Sequence, residues 1–350
     1  MQNDQPGMNE RPEMRALVLE EFGTEPVLRS VERPTPGPGE VLVRIEASGV
    51  NPLDLKIKAG AAGHARVTPP AVLGIDLAGV VTEVGPGVTR FDVGDEVYGM
   101  AGGVGGLPGT LAEYSAVDAD LLAVKPARLT MAEAAALPLA LITAWEGLVD
   151  RARVGEHDSV LVHGGAGGVG HVAVQLARAH GAKVFATGSA GDLETIRALG
   201  AEPIDYRAVP RQDYVDKYTA GEGFDVVFDT IGGATLDSSF AAVRTYTGRV
   251  VSILGWGEHS LAPLSFRGAS YSGVFTLLPL LTGRSRAHHG RVLAEAAELI
   301  DAGKITPILD PTPYHLGTVE EAHRAVAEGT RRGKVVVQVG GSAEPPVSRG

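Results

Sequence analysis

A glycine-rich stretch at residues 162–177, VHGGAGGVGHVAVQLA, constrains the fold of this chain more than any other feature. It begins at the end of a short apolar, β-branched run, residues 159–162, which is typical of a buried parallel strand. After the last glycine, apolar residues recur at helical spacing. Gly165, Gly167 and Gly170 therefore form G-x-G-x-x-G between a strand and a helix, which is the context that a dinucleotide-binding turn requires.

Each glycine of this turn has an expected role. Gly165 permits the tight turn, Gly167 lets the backbone approach a pyrophosphate, and Gly170 lets the helix pack closely on its strand. Backbone N–H groups at the start of the helix bind the anion, so Gly168 and Val169 are also predicted to contact the cofactor. The alternative is a glycine-rich turn without a ligand, which the matching strand and helix disfavour.

From residue 159 onward, strand-like and helix-like runs alternate, which is typical of a doubly wound α/β sheet. The predicted strands are SVLVH, KVFAT, PID, FDVVFD, RVVSILG and SGVFT. Before residue 133, short strands punctuated by Gly, Pro and Asp indicate a mostly β domain. The C-terminal helix and strand are surplus to the nucleotide sheet, so we assign them to the β domain. The prediction is a β domain of residues 1–132 and 304–350, and a nucleotide-binding domain of residues 133–303.

Composition excludes several classes of function. The 350 residues include 42 acidic and 31 basic side chains, giving a net charge of −11, which argues against nucleic acid or an anionic membrane as a partner. There is no cysteine, so disulfides, thiolate nucleophiles and cysteine-ligated zinc are excluded. The N-terminus lacks the pattern of a signal peptide and no apolar run reaches membrane-spanning length, so we expect a cytoplasmic protein. The polar ends, residues 1–13 and 340–350, are expected to be mobile tails.

Several motifs occur together in an order that resembles a known family. They are SGVNPLDLKIKAG, VLGIDLAGVVTEVG, LITAWEGL, the glycine turn and FDVVFDTIGG. This order resembles the medium-chain dehydrogenase/reductases, in particular the zinc-free quinone oxidoreductase branch with its zeta-crystallin-like members, over about residues 14–340. The resemblance implies a GroES-like, mostly β catalytic domain beside a Rossmann domain.

The chain departs from the zinc-dependent members of that family. Where alcohol dehydrogenases have a zinc-ligating Cys and His, this chain has Asn51 and Ile75, and the cysteine cluster of their structural zinc is absent. We therefore predict no metal. His288 and His289 are adjacent, but neighbouring helix residues point about 100° apart, so an exposed pair is expected rather than a metal site.

By resemblance, the cleft between the domains places Asn51, Asp54 and Lys56 near the substrate and Thr143 beside the nicotinamide. Asn51 is either a donor to the acceptor oxygen or a turn residue before a proline. Asp54 either orients Lys56 or caps a local turn, since a carboxylate beside developing negative charge would hinder the reaction. Lys56 either stabilises or protonates an enolate, or is a solvated surface lysine; many quinone reductases have Tyr there.

The second strand of the nucleotide domain ends in Gly188 and Ser189, without the acidic residue that binds the ribose 2′-OH of NAD. This favours NADPH. Tyr206 matches a family position over the adenosine phosphate, but the basic residue often found just after Ser189 is missing. Asp192, which lies there instead, is expected to cap its helix.

Two later segments complete the predicted site by resemblance. Leu254, Gly255 and Phe275 lie in segments whose backbone holds the nicotinamide carboxamide in the family. Trp256 either lines the substrate pocket or packs, and packing is favoured. In the family the last strand pairs with its copy in a second subunit, which implies a homodimer.

Without a metal to stabilise an alkoxide, reduction of an electron-poor acceptor is favoured over oxidation of a simple alcohol. The sequence therefore predicts an NADPH-dependent reductase that transfers hydride to a quinone. The alternative with the same chemistry is an enone, alkenal or enoyl-thioester reductase. A third hypothesis, from a different class, is an NADPH-binding crystallin-like or interaction protein with little turnover.

Overall fold

The computed structural model describes residues 12–329 and 333–340. The two polar tails identified in the sequence lie almost entirely outside these ranges. Within them, two groups of strands form the framework, a mostly antiparallel β part and a parallel six-stranded sheet. The predicted fold class, a GroES-like domain with a Rossmann sheet, is confirmed. No helix among the described residues is long and apolar enough to cross a lipid bilayer.

The β part contains two sheets. The smaller has the order β2-β1-β4, and the larger has the order β15-β16-β3-β5-β6-β8, with β7 pairing to β3. Their bounds are β1 Glu13–Leu19, β2 Val27–Glu32, β3 Glu40–Val50, β4 Ala71–Val72, β5 Asp76–Val84, β6 Glu96–Met100, β7 Tyr114–Asp118, β8 Leu122–Val124, β15 Tyr314–His315 and β16 Val335–Gln338. Strands from both ends of the chain thus share one sheet, which brings distant residues together.

The parallel sheet has the order β11-β10-β9-β12-β13-β14. The strands are β9 Ser159–His163, β10 Lys183–Gly188, β11 Glu202–Asp205, β12 Val226–Asp229, β13 Arg249–Ser252 and β14 Ser270–Gly273. Five of them match the runs predicted from the sequence, whereas β14 begins two residues before the predicted run SGVFT and shares only the first two residues of that run. Strand order reverses between β9 and β12, and in such sheets ligands bind outside the carboxyl ends of the strands at that reversal. The glycine turn begins directly after β9.

Helices cover the parallel sheet and join it to the β part. They are α1 Pro52–Lys58, α2 Met131–Ala135, α3 Pro138–Trp145, α4 Gly170–Ala179, α5 Leu193–Ala198, α6 Arg211–Thr219, α7 Ala234–Ala242, α8 Ala262–Arg267, α9 Leu278–Thr282, α10 Arg286–Asp301 and α11 Val319–Glu328. One apolar core runs from the β part through α3 to the inner face of the parallel sheet. A second covers the other face, around Phe185, Phe224 and Phe240. Such packing fixes the cleft between the two parts.

Candidate active site

A cleft of about 1000 Å³ lies between the β part and the carboxyl ends of the parallel strands. At one end it is lined by Ser189, Tyr206 and Arg211, and at the other by Asn51 and Lys56. All predicted cofactor residues line it except three, which are Gly165, Gly170 and Gly255. The structure therefore brings most of the predicted residues to one continuous cavity long enough for an extended ligand.

The glycines of the turn have partly different roles in the structure from those that the sequence predicted. The left-handed conformation belongs to Gly164, with φ +74°, and not to Gly165. A Cβ on Gly165 would lie 2.5 Å from the side chain of Ala186, and one on Gly170 would lie 2.0 Å from the Gly164 carbonyl oxygen. These two glycines serve close packing of strand and helix. Gly165 was thus assigned the wrong role, because the turn begins one residue earlier.

Gly167 faces the cleft, as expected. A Cβ built there would meet only the Gly164 carbonyl oxygen, at 3.2 Å, so protein atoms leave the space in front of it open. Gly168 and Val169 also line the cleft and precede α4. Backbone groups at this position fit a pyrophosphate, whose charge the start of α4 favours. A dinucleotide therefore fits the cradle that the sequence predicted.

Directly after the carboxyl end of β10, the Ser189 backbone N–H and hydroxyl both donate to the Asp192 carboxylate, at 2.9 and 2.5 Å. Asp192 thus closes a capping box with Ser189 over the short turn before α5, and its side chain does not cap α5 as the sequence predicted. Two basic side chains lie near this end: Arg207 and Arg211 line the cleft, and the buried Nε of Arg211 has no hydrogen-bond partner among the described residues. The sequence contains a signal for them, two arginines soon after the third strand of the parallel sheet, which the prediction of the cofactor site missed.

The nicotinamide end was assigned largely from resemblance. Thr143 on α3, Leu254 and Phe275 line the cleft, and the Thr143 hydroxyl donates to the Leu139 carbonyl at 2.6 Å. Gly255 does not line it, and a Cβ there would lie 2.2 Å from the hydroxyl of Tyr271. Gly255 therefore faces the Tyr271 side chain of β14 rather than the cleft.

Asn51 is almost fully buried and lies at the centre of a hydrogen-bonded cluster. Its side-chain Nδ2 donates to Asp76 at 2.9 Å, and its Oδ1 accepts from the Lys334 ammonium. Its backbone N–H donates to Asp54 at 2.7 Å, at the start of α1, where Pro52 occupies the first helical position. Asp54 therefore caps the local turn, and one Nδ2 hydrogen of Asn51 remains available.

Lys334 is a residue of the cleft that was not predicted from the sequence. It lies 283 residues from Asn51, yet β16 pairs antiparallel with β3 so that Val335 is opposite Val50. The next pair along this register is Lys334 and Asn51. No local motif marks the lysine, because only the pairing of two distant strands brings it to the cleft.

Burial changes the ionisation of this cluster. Removal from solvent raises the pKa of Asp54 to about 7, against the backbone hydrogen bond from Asn51. Burial likewise raises the pKa of Asp76 to about 6, although Lys334 and Asn51 favour its charged form. Burial lowers the pKa of Lys334, and the two carboxylates oppose that shift. The cluster thus contains one cation between two carboxylates that are costly to ionise.

Lys56 lies on α1 at the cleft wall and is exposed, whereas Asp54 points into the protein. The orientation of Lys56 by Asp54, one of two roles considered for that carboxylate, is therefore not what the structure shows. Lys56 lines the same cleft as Asn51. An acceptor bound beside Asn51 would lie within the same cavity.

Three aromatic rings surround the mouth of the cleft. His64 stacks on Trp256 with ring centroids 5.2 Å apart, and both rings contact Phe275 edge-on at 5.9 and 6.2 Å. Trp256 is 56% exposed and lines the cleft, so the favoured expectation that it packs was wrong. A ring on a loop after β13 is free to face a ligand because no strand or helix covers it.

The histidines form no metal site. His289 is fully buried against Glu146, while His288 pairs with Asp150 at 2.7 Å, so the expected exposed pair was wrong. The 100° between neighbouring helix residues turns one ring into the core. In residues 12–329 and 333–340, no group of three or more His, Asp or Glu side chains could hold a metal ion.

Comparison with known proteins identifies the family. A family model described as the alcohol dehydrogenase GroES-like domain matches residues 37–127, and one described as zinc-binding dehydrogenase matches residues 199–337. The chain is 37% identical over 336 residues to 2-methylene-furan-3-one reductase of Solanum lycopersicum, covering 93% of this chain and 79% of the relative. The chain belongs to the medium-chain dehydrogenase/reductase family.

Other members support this assignment. NADPH-dependent alkenal/one oxidoreductase, chloroplastic, of Arabidopsis thaliana is also 37% identical over 336 residues, with the same shares of 93% and 79%. The crystal structure of an alcohol dehydrogenase superfamily protein from Novosphingobium aromaticivorans superposes with a TM-score of 0.91 at 55% identity, over 93% of this chain and 100% of that one. The quinone oxidoreductase from Coxiella burnetii gives 0.79 at 28% identity, over 94% and 100%.

This medium-chain dehydrogenase/reductase is a zinc-free member, an oxidoreductase that uses a nicotinamide cofactor. The positions that hold a Cys and a His in its zinc-dependent relatives contain Asn51, whose side chain is engaged by Asp76 and Lys334, and Ile75, which is fully buried. Neither side chain offers a free ligand to a metal. The absence of bound metal in the purified protein stays a prediction.

Proposed function

We propose that the chain is an NADPH-dependent reductase of α,β-unsaturated carbonyl compounds, that is, enones and alkenals. The observation that carries this proposal is the buried Asn51 carboxamide, held by Lys334 and Asp76 in a cleft that also contains the glycine turn. An uncharged donor at this place suits a carbonyl oxygen that gains negative charge. The names of two relatives, an alkenal/one oxidoreductase and a furanone reductase, support the same substrate class.

The chemistry requires little from the protein beyond binding and polarisation. Bound NADPH would supply hydride from C4 of its nicotinamide to the β-carbon of the acceptor, and a proton from solvent or a nearby donor then adds at the α-carbon. We assign to Asn51 a hydrogen bond to the carbonyl oxygen. To Lys56 we assign stabilisation of the enolate charge from the open side of the cleft. Asp54 has no direct role in this scheme.

NADPH rather than NADH is the proposed cofactor. Arg211 and Arg207 line the end of the cleft beside Ser189 and Tyr206, and the Arg207 Nε donates to the Tyr206 hydroxyl at 3.2 Å. The buried, unpartnered Nε of Arg211 is a donor that a 2′-phosphate oxygen would satisfy. The sequence argument from the missing acidic residue agrees with this arrangement.

Quinone reduction, the leading hypothesis from the sequence, becomes the second candidate. The three rings of His64, Trp256 and Phe275 at the cleft mouth favour a planar, conjugated acceptor, and a quinone satisfies this as well as an aryl enone does. The third hypothesis, cofactor binding with little turnover, predicts no acceptor-dependent oxidation of NADPH.

A homodimer remains a proposal, supported by the edge of the parallel sheet. β14 is the last strand of that sheet, and its residues are largely exposed. Tyr246 and Phe266 are also exposed, at 84% and 87%. An edge strand beside apolar rings is a surface that a second copy would cover. Light scattering and a Tyr271→Pro variant test it, because proline removes an edge N–H.

Two expectations from the sequence stay proposals without further support here. One is the division of the chain at residues 132/133 and 303/304, which limited proteolysis tests. The other is the cytoplasmic location, which cell fractionation tests.

The deciding experiment measures oxidation of NADPH with a small enone, an aryl enone, a quinone and no acceptor. We expect kcat/KM to be highest for an enone. A faster rate with the quinone would favour the second candidate. Equal, slow oxidation with and without every acceptor would overturn both and favour a binding protein.

A further inference from the structure

Lys334 is a buried lysine within the cleft. It is 6% exposed and precedes β16. A Cβ built on Gly168 would lie 3.5 Å from its side-chain Cδ, so its stem passes beside the glycine turn. Its ammonium donates to Asn51 Oδ1 and lies 3.5 Å from the Val50 carbonyl oxygen. Burial of an ammonium costs desolvation free energy, so a buried lysine in a ligand cleft indicates a specific role.

A series of hydrogen bonds, linked at Leu139 through the backbone, starts at this ammonium. Lys334 donates to Asn51, and Asn51 donates to one oxygen of Asp76 at 2.9 Å. The other oxygen of Asp76 accepts from the Leu139 backbone N–H at 2.9 Å, and the Leu139 carbonyl accepts from Thr143 at 2.6 Å. The series joins the proposed substrate-side residue Asn51 to the proposed cofactor-side residue Thr143 through α3.

The hydrogen-bonding capacities of Lys334 and Asp76 fix the orientation of the Asn51 carboxamide. An ammonium can only donate, and an ionised carboxylate can only accept. The Asn51 carboxamide must therefore present its oxygen to Lys334 and its NH₂ group to Asp76. The reversed orientation would place NH₂ against an ammonium and oxygen against a carboxylate, which is repulsive on both sides.

We propose that Lys334 is a positioning residue for hydride transfer, which sets the orientation of the Asn51 carboxamide and thereby aims its second N–H at the acceptor carbonyl. This rests on the proposed reduction of a conjugated carbonyl. Lys334 acts through Asn51 and need not touch the acceptor. Without the cation, Asn51 loses the charged donor to its Oδ1, and two buried carboxylates, Asp76 and Asp54, lose the counter-charge of Lys334.

Kinetics of Lys334→Met test the proposal. We expect kcat with an enone to fall by about 10- to 100-fold, the KM for NADPH to change less than about threefold, and the primary isotope effect with NADPH deuterated at C4 to rise. In an Asn51→Ala background the further loss from Lys334→Met should be less than about threefold, because the two residues act as one unit. A raised KM for NADPH with unchanged kcat, or losses that multiply in the double variant, would overturn it.

Lys125→Met is the matched control. Lys125 is also buried, at 8%, and its ammonium donates to the Leu129 carbonyl at 2.5 Å, but it does not line the cleft. We expect it to lower Tm as Lys334→Met does while leaving kcat and the isotope effect unchanged. An equal fall of kcat in both variants would attribute the loss to general destabilisation and contradict the proposal.

A crystal structure of Lys334→Met separates this inference from the proposed function. We expect the Asn51 carboxamide to turn away from its present position. An unchanged carboxamide would refute positioning by Lys334 whatever the substrate is. If no enone, aryl enone or quinone supports NADPH oxidation by the wild-type protein, the proposed function is refuted instead. The crystal structure would still decide the role of Lys334.

Discussion

The imidazole of His64 stacks on the indole of Trp256 across the mouth of the cleft, with ring centroids 5.2 Å apart and ring planes at 29°. His64 belongs to a short turn of the β part, and Trp256 follows β13 of the parallel sheet. The pair therefore bridges the two parts of the molecule at the place where an acceptor would enter. Removing one ring should change which acceptors bind well.

Trp256→Ala is expected to raise the KM for an aryl enone by about tenfold, because a stacked aromatic contact is worth about 0.5–1.5 kcal/mol beyond its buried area. A small acyclic enone should be affected less than about threefold. Trp256→Phe, which keeps a ring, is the control and should retain most of the preference. Steady-state kinetics with both substrates check this, and an equal loss for the two would show that Trp256 does not contact the acceptor.

Lys56→Met is expected to lower kcat and kcat/KM together for an enone by roughly 10²-fold, with the KM for NADPH nearly unchanged. A quinone should be affected less, because its hydroquinone anion is more delocalised. Lys58→Met is the control: Lys58 lies on the same helix, pairs with Glu25 at 2.7 Å and does not line the cleft. Near-normal rates for Lys56→Met with both acceptors would identify Lys56 as a solvated surface group.

The elements that sequence periodicity describes were predicted well. The buried strands β9, β10, β12 and β13 and the glycine turn follow from local apolar runs, since such runs are typical of buried parallel strands. Gly167 was placed correctly at the cleft, whereas Gly165 serves close packing and the left-handed residue is Gly164. What local patterns cannot give is contact between strands far apart in the chain. Lys334 meets Asn51 only through the pairing of β16 with β3.

The direction of side chains on helices and loops was the other property that the sequence did not predict. His288 and His289 look alike in the sequence, but only packing against α3 and the segment after it decides that His289 is buried. Arg211 lies at the first position of α6, and the fold brings that helix end to the carboxyl end of β10. A search for basic residues after the third strand of the parallel sheet would have found Arg207 and Arg211, which line the cleft beside Ser189.

Arg211→Gln is expected to lower kcat/KM for NADPH by about tenfold or more and to leave kcat/KM for NADH nearly unchanged, because a charge-assisted hydrogen bond to phosphate is lost. The exposed Arg197 on α5 lies outside the cleft, so Arg197→Gln is the control. Initial rates with both cofactors measure the effect. An equal fall with NADH would show that Arg211 does not contact the 2′-phosphate.

Ser189→Asp tests the same end of the cleft by the opposite change. Its carboxylate would lie beside Asp192 and would repel a 2′-phosphate, so we expect preference to shift toward NADH. Equal kcat/KM for NADPH and NADH in the unmodified protein would contradict the proposed NADPH preference.

The purified protein is expected to contain no stoichiometric zinc and to keep its activity in a chelator. A cation at the position of the relatives' catalytic zinc would lie against the Lys334 ammonium, which already occupies the side-chain oxygen of Asn51. Elemental analysis and an assay in EDTA check this. About one zinc per chain, with activity lost on its removal, would refute it.

The buried Asp54 carboxylate should make the protein less stable as pH rises from 5 to 8. Burial raises its pKa in the folded chain to about 7, above the ordinary value of 3.8, and within residues 12–329 and 333–340 its Oδ1 has no hydrogen-bond partner. Between pH 3.8 and pH 7 the folded state keeps a proton on Asp54 that the unfolded state has released. Lowering the pH toward 4 therefore favours folding, and deprotonation of Asp54 near pH 7 opposes it.

Asp54→Asn cannot release that proton. Urea unfolding at pH 5 and pH 8 should therefore show the free energy of unfolding of the variant rising relative to wild type by about 2 kcal/mol over this interval. Asp213→Asn, at an exposed position on α6, is the control and should keep the wild-type pH dependence. A constant difference between Asp54→Asn and wild type from pH 5 to 8 would show that Asp54 does not titrate in this range.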